Sequence, residues 1–309
     1  MSERRIDEAL ARAARGPRAG DDASPPIVAV PMANNPEVIG AIGAAMEEGL
    51  ARFALIGPVA QMRAVARDAG VELGEATIVD ETDPVRACAR AAAMASAGEA
   101  QVLMKGLVQT ADFVRSILDR ELGLVPAGSL LSHVALCDAE RYDRLFLLTD
   151  AAITTYPDAD QKAQLLENAL ACANALGFER PACAMVAPVE KVSEKVPSTT
   201  AAASVVARFA RDDRIDVDGP FGLDVAVNPE AASTKGIAGP VAGRASILVM
   251  PSIDAANALY KSLVAFADAR VAGIVAGATV PVVLTSRADS EQSKLDALRF
   301  ALAVAPGSR

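Results

Sequence analysis

Short apolar runs alternate along the chain with longer segments in which apolar residues recur at helical spacing. The runs are unbroken, as expected for strands that are buried on both faces of a sheet. Predicted strands cover residues 26–31, 52–57, 76–80, 101–106, 145–150, 182–187, 246–251, 272–277 and 280–286.

The segments between these runs predict helices, several of which begin with Asp, Asn or Thr and some of which stop at Gly. They cover residues 35–50, 58–70, 83–95, 110–122, 158–177, 199–213, 254–269 and 289–303. The alternation predicts an α/β protein with mainly parallel sheets and helices on both faces. Residues 124–140 separate two halves, so two packed domains are expected. Residues 1–20 are charged and predict a short amphipathic helix or a frayed tail.

Composition narrows the classes of partner. The 309 residues carry a net charge of -9, which argues against nucleic acid and anionic membranes. Aromatic residues make up 4 % and Trp is absent, so a base-stacking surface is not expected. The four cysteines form no C-x-x-C pair and are interpreted as buried small hydrophobes rather than metal ligands or disulfides. Without a signal-peptide pattern or a membrane-length apolar run, the sequence fits a cytoplasmic protein.

Three common motifs of α/β enzymes are missing. The chain has no G-x-G fingerprint, no P-loop and no G-x-S-x-G elbow. Its only histidine, His133, has no Ser or Cys partner at motif spacing, so it is interpreted as a packed or hydrogen-bonded residue.

The stretch "LTSRADSEQSK" ends a predicted strand and starts a helix. Ligands of parallel sheets bind at the carboxyl ends of strands, and helix N-termini attract anions. Ser286 and Arg287 are therefore candidates for an oxyanion site. Asp289 is expected to be the helix N-cap, with Gln292 completing a capping box. From these residues alone, an anion-binding site and an ordinary connection between a strand and a helix are equally open.

"LMKGLVQTADFVRSILD" has the same arrangement. A strand ends at Lys105 and Gly106, where a glycine would let a ligand approach the backbone. Thr110 then leads into a helix that carries Arg115. For either basic residue alone, an ordinary solvated side chain is the better interpretation.

Further polar candidates follow other strands. Asp150 is expected to orient an arginine or to hold a loop, and residues 216–243 predict a long glycine-rich functional loop with a tight turn at Asp218-Gly219-Pro220. The remaining candidates for substrate contacts are Ser132, Asp224, Lys235, Asn257 and Lys261.

Together and in this order, these passages resemble the phosphate acetyl/butyryl transferase family over roughly residues 26–304. No single match is decisive, but the ordered set is specific. The matching residues are Met104-Lys105-Gly106, Thr110 with Arg115, Ser132-His133, Thr149-Asp150, Pro157-Asp158, Asp218-Gly219-Pro220, Asp224, Lys235-Gly236, Gly243, Pro251, Asn257, Tyr260-Lys261, Gly277, Pro281 and Ser286-Arg287.

The resemblance implies a two-domain fold like that of isocitrate and isopropylmalate dehydrogenases, with the active site in the interdomain cleft. One domain would comprise residues 1–140 plus 273–309, and the other residues 141–272. The implied reaction is reversible acyl transfer between coenzyme A and inorganic phosphate. The substrates are then acyl-CoA, phosphate and acyl phosphate, without a metal or bound cofactor, and family members are commonly homodimers.

The resemblance also implies roles. Arg287 would bind phosphate, Arg115 would add a second positive charge, and Ser286 would hydrogen-bond the thiol, the phosphate or the oxyanion. Lys105 would contact the CoA phosphates or the oxyanion. "LMKG" and "SRADSEQSK" resemble the butyryl branch, and Ser293 stands where the acetyl branch carries an aspartate.

Three other functions are kept open. One is a decarboxylating dehydrogenase of the same fold, although the aspartates are too scattered for its metal site. The second is an acyl-carrier-protein phosphate acyltransferase. The third is a non-catalytic relative that binds CoA or acyl-CoA.

Overall fold

The computed structural model describes residues 5–14, 24–285 and 289–306. Its strands are β1 Ile27–Pro31, β2 Arg52–Gly57, β3 Thr77–Asp80, β4 Val102–Met104, β5 Ser132–Asp138, β6 Phe146–Thr149, β7 Ala182–Val186, β8 Asp216–Phe221, β9 Ile247–Val249, β10 Arg270–Ala276 and β11 Val282–Val283. Its helices are α1 Arg5–Ala14, α2 Pro36–Glu47, α3 Val59–Asp68, α4 Pro84–Ser96, α5 Thr110–Ile117, α6 Ala159–Ala175, α7 Pro197–Phe209, α8 Leu223–Val227, α9 Pro229–Thr234, α10 Ile253–Ala267 and α11 Glu291–Val304.

The chain divides into two compact units. Residues 10–129 and 272–309 form one, here called the terminal unit, and residues 1–9 and 130–271 form the other, the middle unit. The predicted α/β class with mainly parallel strands is confirmed in both units. The predicted domain boundaries and the predicted cleft between the domains stay predictions.

In the terminal unit the strand order is β3-β2-β1-β4-β11-β10. Strand β1 pairs in parallel with β2 and β4, and β4 pairs in parallel with β11 through Leu103 and Val282. Strand β10 is antiparallel to β11, with Val275 opposite Val282. The carboxyl ends of β4 and β11 therefore lie side by side, and this places Lys105 next to the strand that leads to residue 286.

In the middle unit the strand order is β5-β6-β9-β7-β8. Strand β5 runs antiparallel to β6, and the other neighbours are parallel. One face of this sheet packs its alternate residues, such as Ala135, Leu148 and Leu248, into a core that includes α8 and the start of α10.

The prediction from the sequence lacks two of the strands. Strand β5 lies in the predicted break at 124–140, and β8 opens the predicted loop at 216–243, which also contains α8 and α9. The predicted tight turn at Asp218-Gly219-Pro220 is wrong, because these residues lie inside β8. Gly219 has a φ of 138°, and a side chain there would come within 2.7 Å of the Met185 carbonyl oxygen. A register irregularity between Ala184 and Val186 accommodates this close approach.

The helix caps mostly follow the sequence. Asp158 caps α6 with a complete capping box to Gln161, as expected for Asp followed three residues later by Gln. The predicted cap of α11 is wrong by one residue. Ser290, not Asp289, accepts a hydrogen bond from the Ser293 amide at 3.1 Å, so no capping box to Gln292 forms.

The start of α1 is anchored to the middle unit. The Asp138 carboxylate accepts hydrogen bonds from the Arg5 guanidinium at 2.7 Å and from the Ile6 amide at 3.1 Å. Arg270 pairs with Asp7 at 2.7 Å. Of the two alternatives predicted for residues 1–20, residues 5–14 form the amphipathic helix, and its first turn is held to β5 and β10.

The predicted burial of all four cysteines is confirmed, and none is in a disulfide. Burial raises the pKa of Cys88 to about 11 and that of Cys172 to about 12. Because these thiols stay protonated at neutral pH, they are poor nucleophiles.

Among the described residues, no helix is both long and apolar enough to span a membrane.

Candidate active site

Lys105 and Gly106 follow β4 directly and are buried. A Cβ atom at Gly106 would overlap with the carbonyl oxygens of Pro31 and Met32, and the Leu107 amide donates to the Met32 carbonyl at 2.8 Å. The glycine is therefore required by contact with the turn after β1, which is a different reason from the ligand approach predicted from the sequence. Lys105 donates to the Gly106 carbonyl at 3.3 Å, so its ammonium is held at the end of β4.

Thr110 and Arg115 lie on the surface of α5. Thr110 is the first residue of the helix and Arg115 lies in its last turn. Arg115 is 72 % exposed and pairs with Asp112 at 2.7 Å. An anion that binds Arg115 must therefore compete with this carboxylate.

Ser286 and Arg287, the predicted phosphate site, lie outside the described residues. The segments on both sides of them are described. Strand β11 ends at Val283, and α11 begins at Glu291 with its Ser290 cap. Lys294, which is 2 % exposed, donates its ammonium to the Asp289 carbonyl. The chain that carries the predicted phosphate site therefore runs from a parallel strand into a capped helix with a buried cation in its first turns.

The Asp150 carboxylate organises the loop that follows β6. It accepts hydrogen bonds from the backbone amides of Ala152 at 2.8 Å, Ile153 at 3.0 Å and Thr154 at 3.0 Å. Asp150 is only 2 % exposed, so these bonds replace its lost hydration. Of the two predicted roles, the structure shows Asp150 holding a loop.

This loop in turn holds the start of α10. The side-chain amide of Asn257 donates a hydrogen bond to the Ala151 carbonyl at 3.0 Å, and the backbone amide of Ile253 donates to the Thr155 carbonyl at 2.8 Å. The Tyr156 hydroxyl donates a hydrogen bond to the Asp254 carboxylate at 2.7 Å. The Asn257 side chain therefore joins two segments of the site, while Lys261, one turn later, is exposed.

Ser132, the first residue of β5, is fully buried and contacts α6. Its hydroxyl accepts a hydrogen bond from the Asn168 amide of α6 at 2.9 Å. The same amide donates to the Leu130 carbonyl at 2.9 Å. The structure thus gives Ser132 a packing role between β5 and α6.

Lys235 forms ion pairs with Asp224 and with Glu190, a residue that the sequence did not single out. The Lys235 ammonium lies 2.8 Å from Glu190 and 3.0 Å from Asp224. Hydrogen bonds from Lys235 lower the pKa of both carboxylates, and Glu190 and Asp224 raise the pKa of Lys235. Because two carboxylates surround this one ammonium, a phosphate group would be repelled there. Asp218 lies apart and accepts a hydrogen bond from the Gly219 amide at 2.8 Å.

His133 is a residue that sequence reasoning set aside. It lies on the same sheet face as Ala135, and the antiparallel pairing brings the start of β5 beside the end of β6, which Asp150 follows. Its ring meets the Tyr260 ring edge-on, with centroids 5.8 Å apart. The Nδ1 nitrogen is buried and has no hydrogen-bond partner among the described residues, a state that typically costs about 1–3 kcal/mol.

Burial lowers the pKa of His133 below its ordinary value, and the charge of Asp150 partly offsets this shift. The ring is therefore neutral at neutral pH, so one of its nitrogens can accept a proton.

Lys162 is another residue that the sequence analysis did not single out. It lies on α6, is 2 % exposed, and donates to the carbonyl oxygens of Met250 at 2.9 Å and Pro251 at 3.0 Å. Loss of hydration by burial lowers its pKa to about 8. Lys162 therefore fixes the turn between β9 and α10 with a cation that has no carboxylate at hydrogen-bonding distance in the described part of the chain.

The structure thus assembles two groups of residues, one in each unit. In the terminal unit Lys105 and Gly106 lie beside the strand that leads to residue 286. In the middle unit His133, Asp150, Asn257 and Tyr260 share the carboxyl edge of β6 and β9. Within the described ranges, no group of three or more His, Cys, Asp or Glu side chains is close enough to hold a metal ion.

Comparison with known proteins identifies the family. Residues 83–302 match the family model described as "Phosphate acetyl/butaryl transferase". The chain belongs to this family.

Individual proteins of known function or structure are similar to this chain over most of its length. A phosphate butyryltransferase from Clostridium beijerinckii is 43 % identical over 281 residues, which cover 90 % of this chain and 92 % of the relative. A phosphate acetyltransferase from Thermotoga maritima is 38 % identical and covers 86 % and 91 %. The crystal structure of a branched-chain phosphotransacylase from Enterococcus faecalis V583 has a TM-score of 0.80 at 34 % identity and covers 90 % and 98 %. The sequence-based assignment to a family of acyltransferases is confirmed.

Replacing Lys162 with methionine tests how much the buried ammonium lowers the free energy of unfolding. Since the folded-state pKa of about 8 lies below the ordinary 10.5, the unfolded chain binds more protons between these values. The stability of the wild type should therefore rise relative to Lys162→Met between pH 8 and 10.5, by roughly 3 kcal/mol in total. Urea unfolding at pH 7 and pH 10 measures the difference. The exposed Lys191→Met serves as the control, and a pH-independent difference for Lys162→Met would contradict the assignment.

Proposed function

We propose that this protein catalyses the reversible transfer of a short acyl group between coenzyme A and inorganic phosphate, with a preference of the butyryl type. The observation that carries the proposal is the 43 % identity, over nearly the whole of both chains, to a phosphate butyryltransferase. The solved branched-chain phosphotransacylase supports the same class of acyl group.

The proposed site combines the two groups of residues in a cleft between domains. The domains are residues 1–140 plus 273–309 and residues 141–272, in a fold of the isocitrate dehydrogenase type. Lys105 follows β4, and β4 pairs in parallel with β11, after which Ser286 and Arg287 occur in the chain. Parallel strands bring their carboxyl ends to one edge, so this arrangement supports a shared anion site.

The chemistry requires two things of these residues. A phosphate dianion must be held against a thioester carbonyl, and the negative charge that develops on the carbonyl oxygen must be stabilised. In the proposal, Arg287 binds the phosphate with two donors and Arg115 supplies further positive charge. Lys105, buried at the strand end, serves the oxyanion, and Ser286 hydrogen-bonds the reacting groups.

The substrates of the proposal are acyl-CoA, phosphate and acyl phosphate, without a metal or bound cofactor, and the proposed location is the cytoplasm. The other predicted contacts divide in two. Asn257, Lys261 and Thr110 remain proposed substrate contacts. For Ser132, Asp150, Asp218, Asp224 and Lys235, the hydrogen bonds and ion pairs described above support roles in holding the site rather than in touching the substrate.

We also propose a homodimer that forms through α10 of the middle unit. Phe266 is 88 % exposed and Val264 46 % exposed on this helix, beside a groove of about 630 Å³ that Leu259 and Leu263 help to line. The rim of the groove carries both signs of charge, including Arg141 and Glu230. A surface with an apolar centre and charges of both signs can match its own copy about a twofold axis.

Release of thiol from acyl-CoA in the presence of phosphate tests the function. We expect isobutyryl-CoA to be a better substrate than acetyl-CoA, and kcat/KM to rise about 10–200-fold with each methylene added from acetyl-CoA to butyryl-CoA, since one methylene contributes about 1–3 kcal/mol in a fitted pocket. Propionyl-CoA should fall between them. Omitting phosphate is the control. The absence of phosphate-dependent release with every acyl-CoA would reject the proposal in favour of a non-catalytic CoA-binding protein, and activity with acyl-carrier protein alone would favour an acyl-carrier-protein phosphate acyltransferase.

Replacing Arg287 with alanine tests the phosphate site. The variant should lose about 2–4 kcal/mol of transition-state stabilisation, as when an oxyanion donor is removed, and this is a fall in kcat/KM of about 30–1,000-fold. Arg86→Ala removes a 76 % exposed arginine of the terminal unit and should leave the rate unchanged. Wild-type turnover by Arg287→Ala would overturn the assignment.

Replacing Phe266 with glutamate tests the dimer. Light scattering should give twice the 31.8 kDa chain mass for the wild type and the single mass for Phe266→Glu, because an ionised carboxylate cannot be buried in an apolar contact. Leu118→Glu, on the 50 % exposed residue that follows α5, is the matched control and should stay dimeric. A monomeric wild type would contradict the proposal.

A further inference from the structure

The proposed reaction needs a proton acceptor when it runs towards acyl-CoA. The thiol of coenzyme A must lose its proton, since the thiolate is the nucleophile. A neutral imidazole or a carboxylate close to the thiol can take this proton.

His133 has the geometry for this role. Its Nδ1 nitrogen lacks a hydrogen-bond partner among the described residues, although the residue is only 8 % exposed. It lies at the edge of the sheet where β6 and β9 end, and ligands of parallel strands bind at such edges. The ring is held edge-on against Tyr260, one turn from Asn257 on α10.

Asp150 completes the arrangement. Its carboxylate acts on the His133 ring through its negative charge, and three backbone amides hold it in place. A positive charge that forms on His133 is therefore stabilised by a fixed negative charge nearby. Asp150 and Tyr260 are the titratable groups that the described structure shows facing the imidazole, from β6 and from α10.

We propose that Nδ1 of His133 accepts the thiol proton of coenzyme A as acyl phosphate is converted to acyl-CoA. The inference rests on the proposed function and adds a catalytic residue to it. The S–H bond breaks and its proton goes to Nδ1. The sulfur electron pair forms the bond to the acyl carbon, and the bond from that carbon to the phosphate oxygen breaks. The leaving phosphate takes the electron pair and then the proton from the imidazolium, which gives hydrogen phosphate.

His133→Asn tests the proposal, because the asparagine amide can imitate the position of Nδ1 but cannot take a proton. At pH 7 the variant should keep a KM for coenzyme A near that of the wild type and lose about 10²-fold or more in kcat for acyl-CoA formation. As the pH rises towards the pKa of the coenzyme A thiol, a growing fraction of it forms the thiolate without a base. The ratio of wild-type to variant rates should therefore shrink between pH 7 and pH 9.5.

A structural role for His133 would give a different result. The rate ratio would then be the same at pH 7 and pH 9.5, and this outcome, like a variant with unchanged kcat, overturns the inference. Cys137→Ala is the matched control, since Cys137 is fully buried on the same face of β5. Its rate ratio to the wild type should not change with pH. If the wild type lacks phosphate-dependent thiol release, the proposed function fails as a whole, which is a separate outcome.

Nuclear magnetic resonance gives a readout that does not depend on turnover or on the folding of a variant. His133 is the only histidine, so ¹⁵N-histidine labelling of the wild-type protein yields the signals of one imidazole. We expect a neutral ring at pH 7 and a shift of the Nδ1 signal when coenzyme A is added. Desulfo-coenzyme A, which lacks the thiol, should leave that signal in place. Equal shifts with both compounds, or no shift with coenzyme A, would overturn the proposed contact.

Discussion

The buried carboxylate of Asp150 is the constraint on which the middle-unit site depends. Three backbone amides donate to it, and each hydrogen bond to a charged acceptor contributes on the order of 1.5–3 kcal/mol. The loop after β6 is thereby fixed, and its carbonyls then receive Asn257 and the first amide of α10. This carboxylate thus helps to fix where α10 begins.

Lys162 secures the same region from the other side of the sheet. Its ammonium reaches the two carbonyls at the end of β9, so the turn into α10 is held by β6 through Asp150 and by α6 through Lys162. Burying a lysine without a carboxylate is costly, since loss of hydration disfavours its charged form. A chain that bears this cost at one turn obtains a precisely located helix start.

The fold was largely predictable, and the errors have physical causes. Strands such as β1 and β6 are unbroken apolar runs, which only burial on both faces explains. Strand β5 was missed because Ser132 and His133 open it, and β8 because Asp218-Gly219-Pro220 carries turn signals inside a strand. Those signals reflect the close approach of Gly219 to Met185, a contact between β8 and β7 that no local pattern contains. Gly106 is similar, because its neighbour Pro31 is distant in sequence.

The candidate site was predictable in its residues but less so in their roles. The order of motifs singled out Asp150, Asn257 and Lys235, yet a sequence does not show which atoms are already occupied. Lys235 is surrounded by two carboxylates, one of them from Glu190, 45 residues away. His133 is the opposite case. A lone histidine in an apolar strand is usually packed and satisfied, and this one is distinguished by an Nδ1 that has no partner in the described part of the chain. Catalytic potential here depends on which polar atoms the fold leaves unsatisfied, and that property exists only in three dimensions.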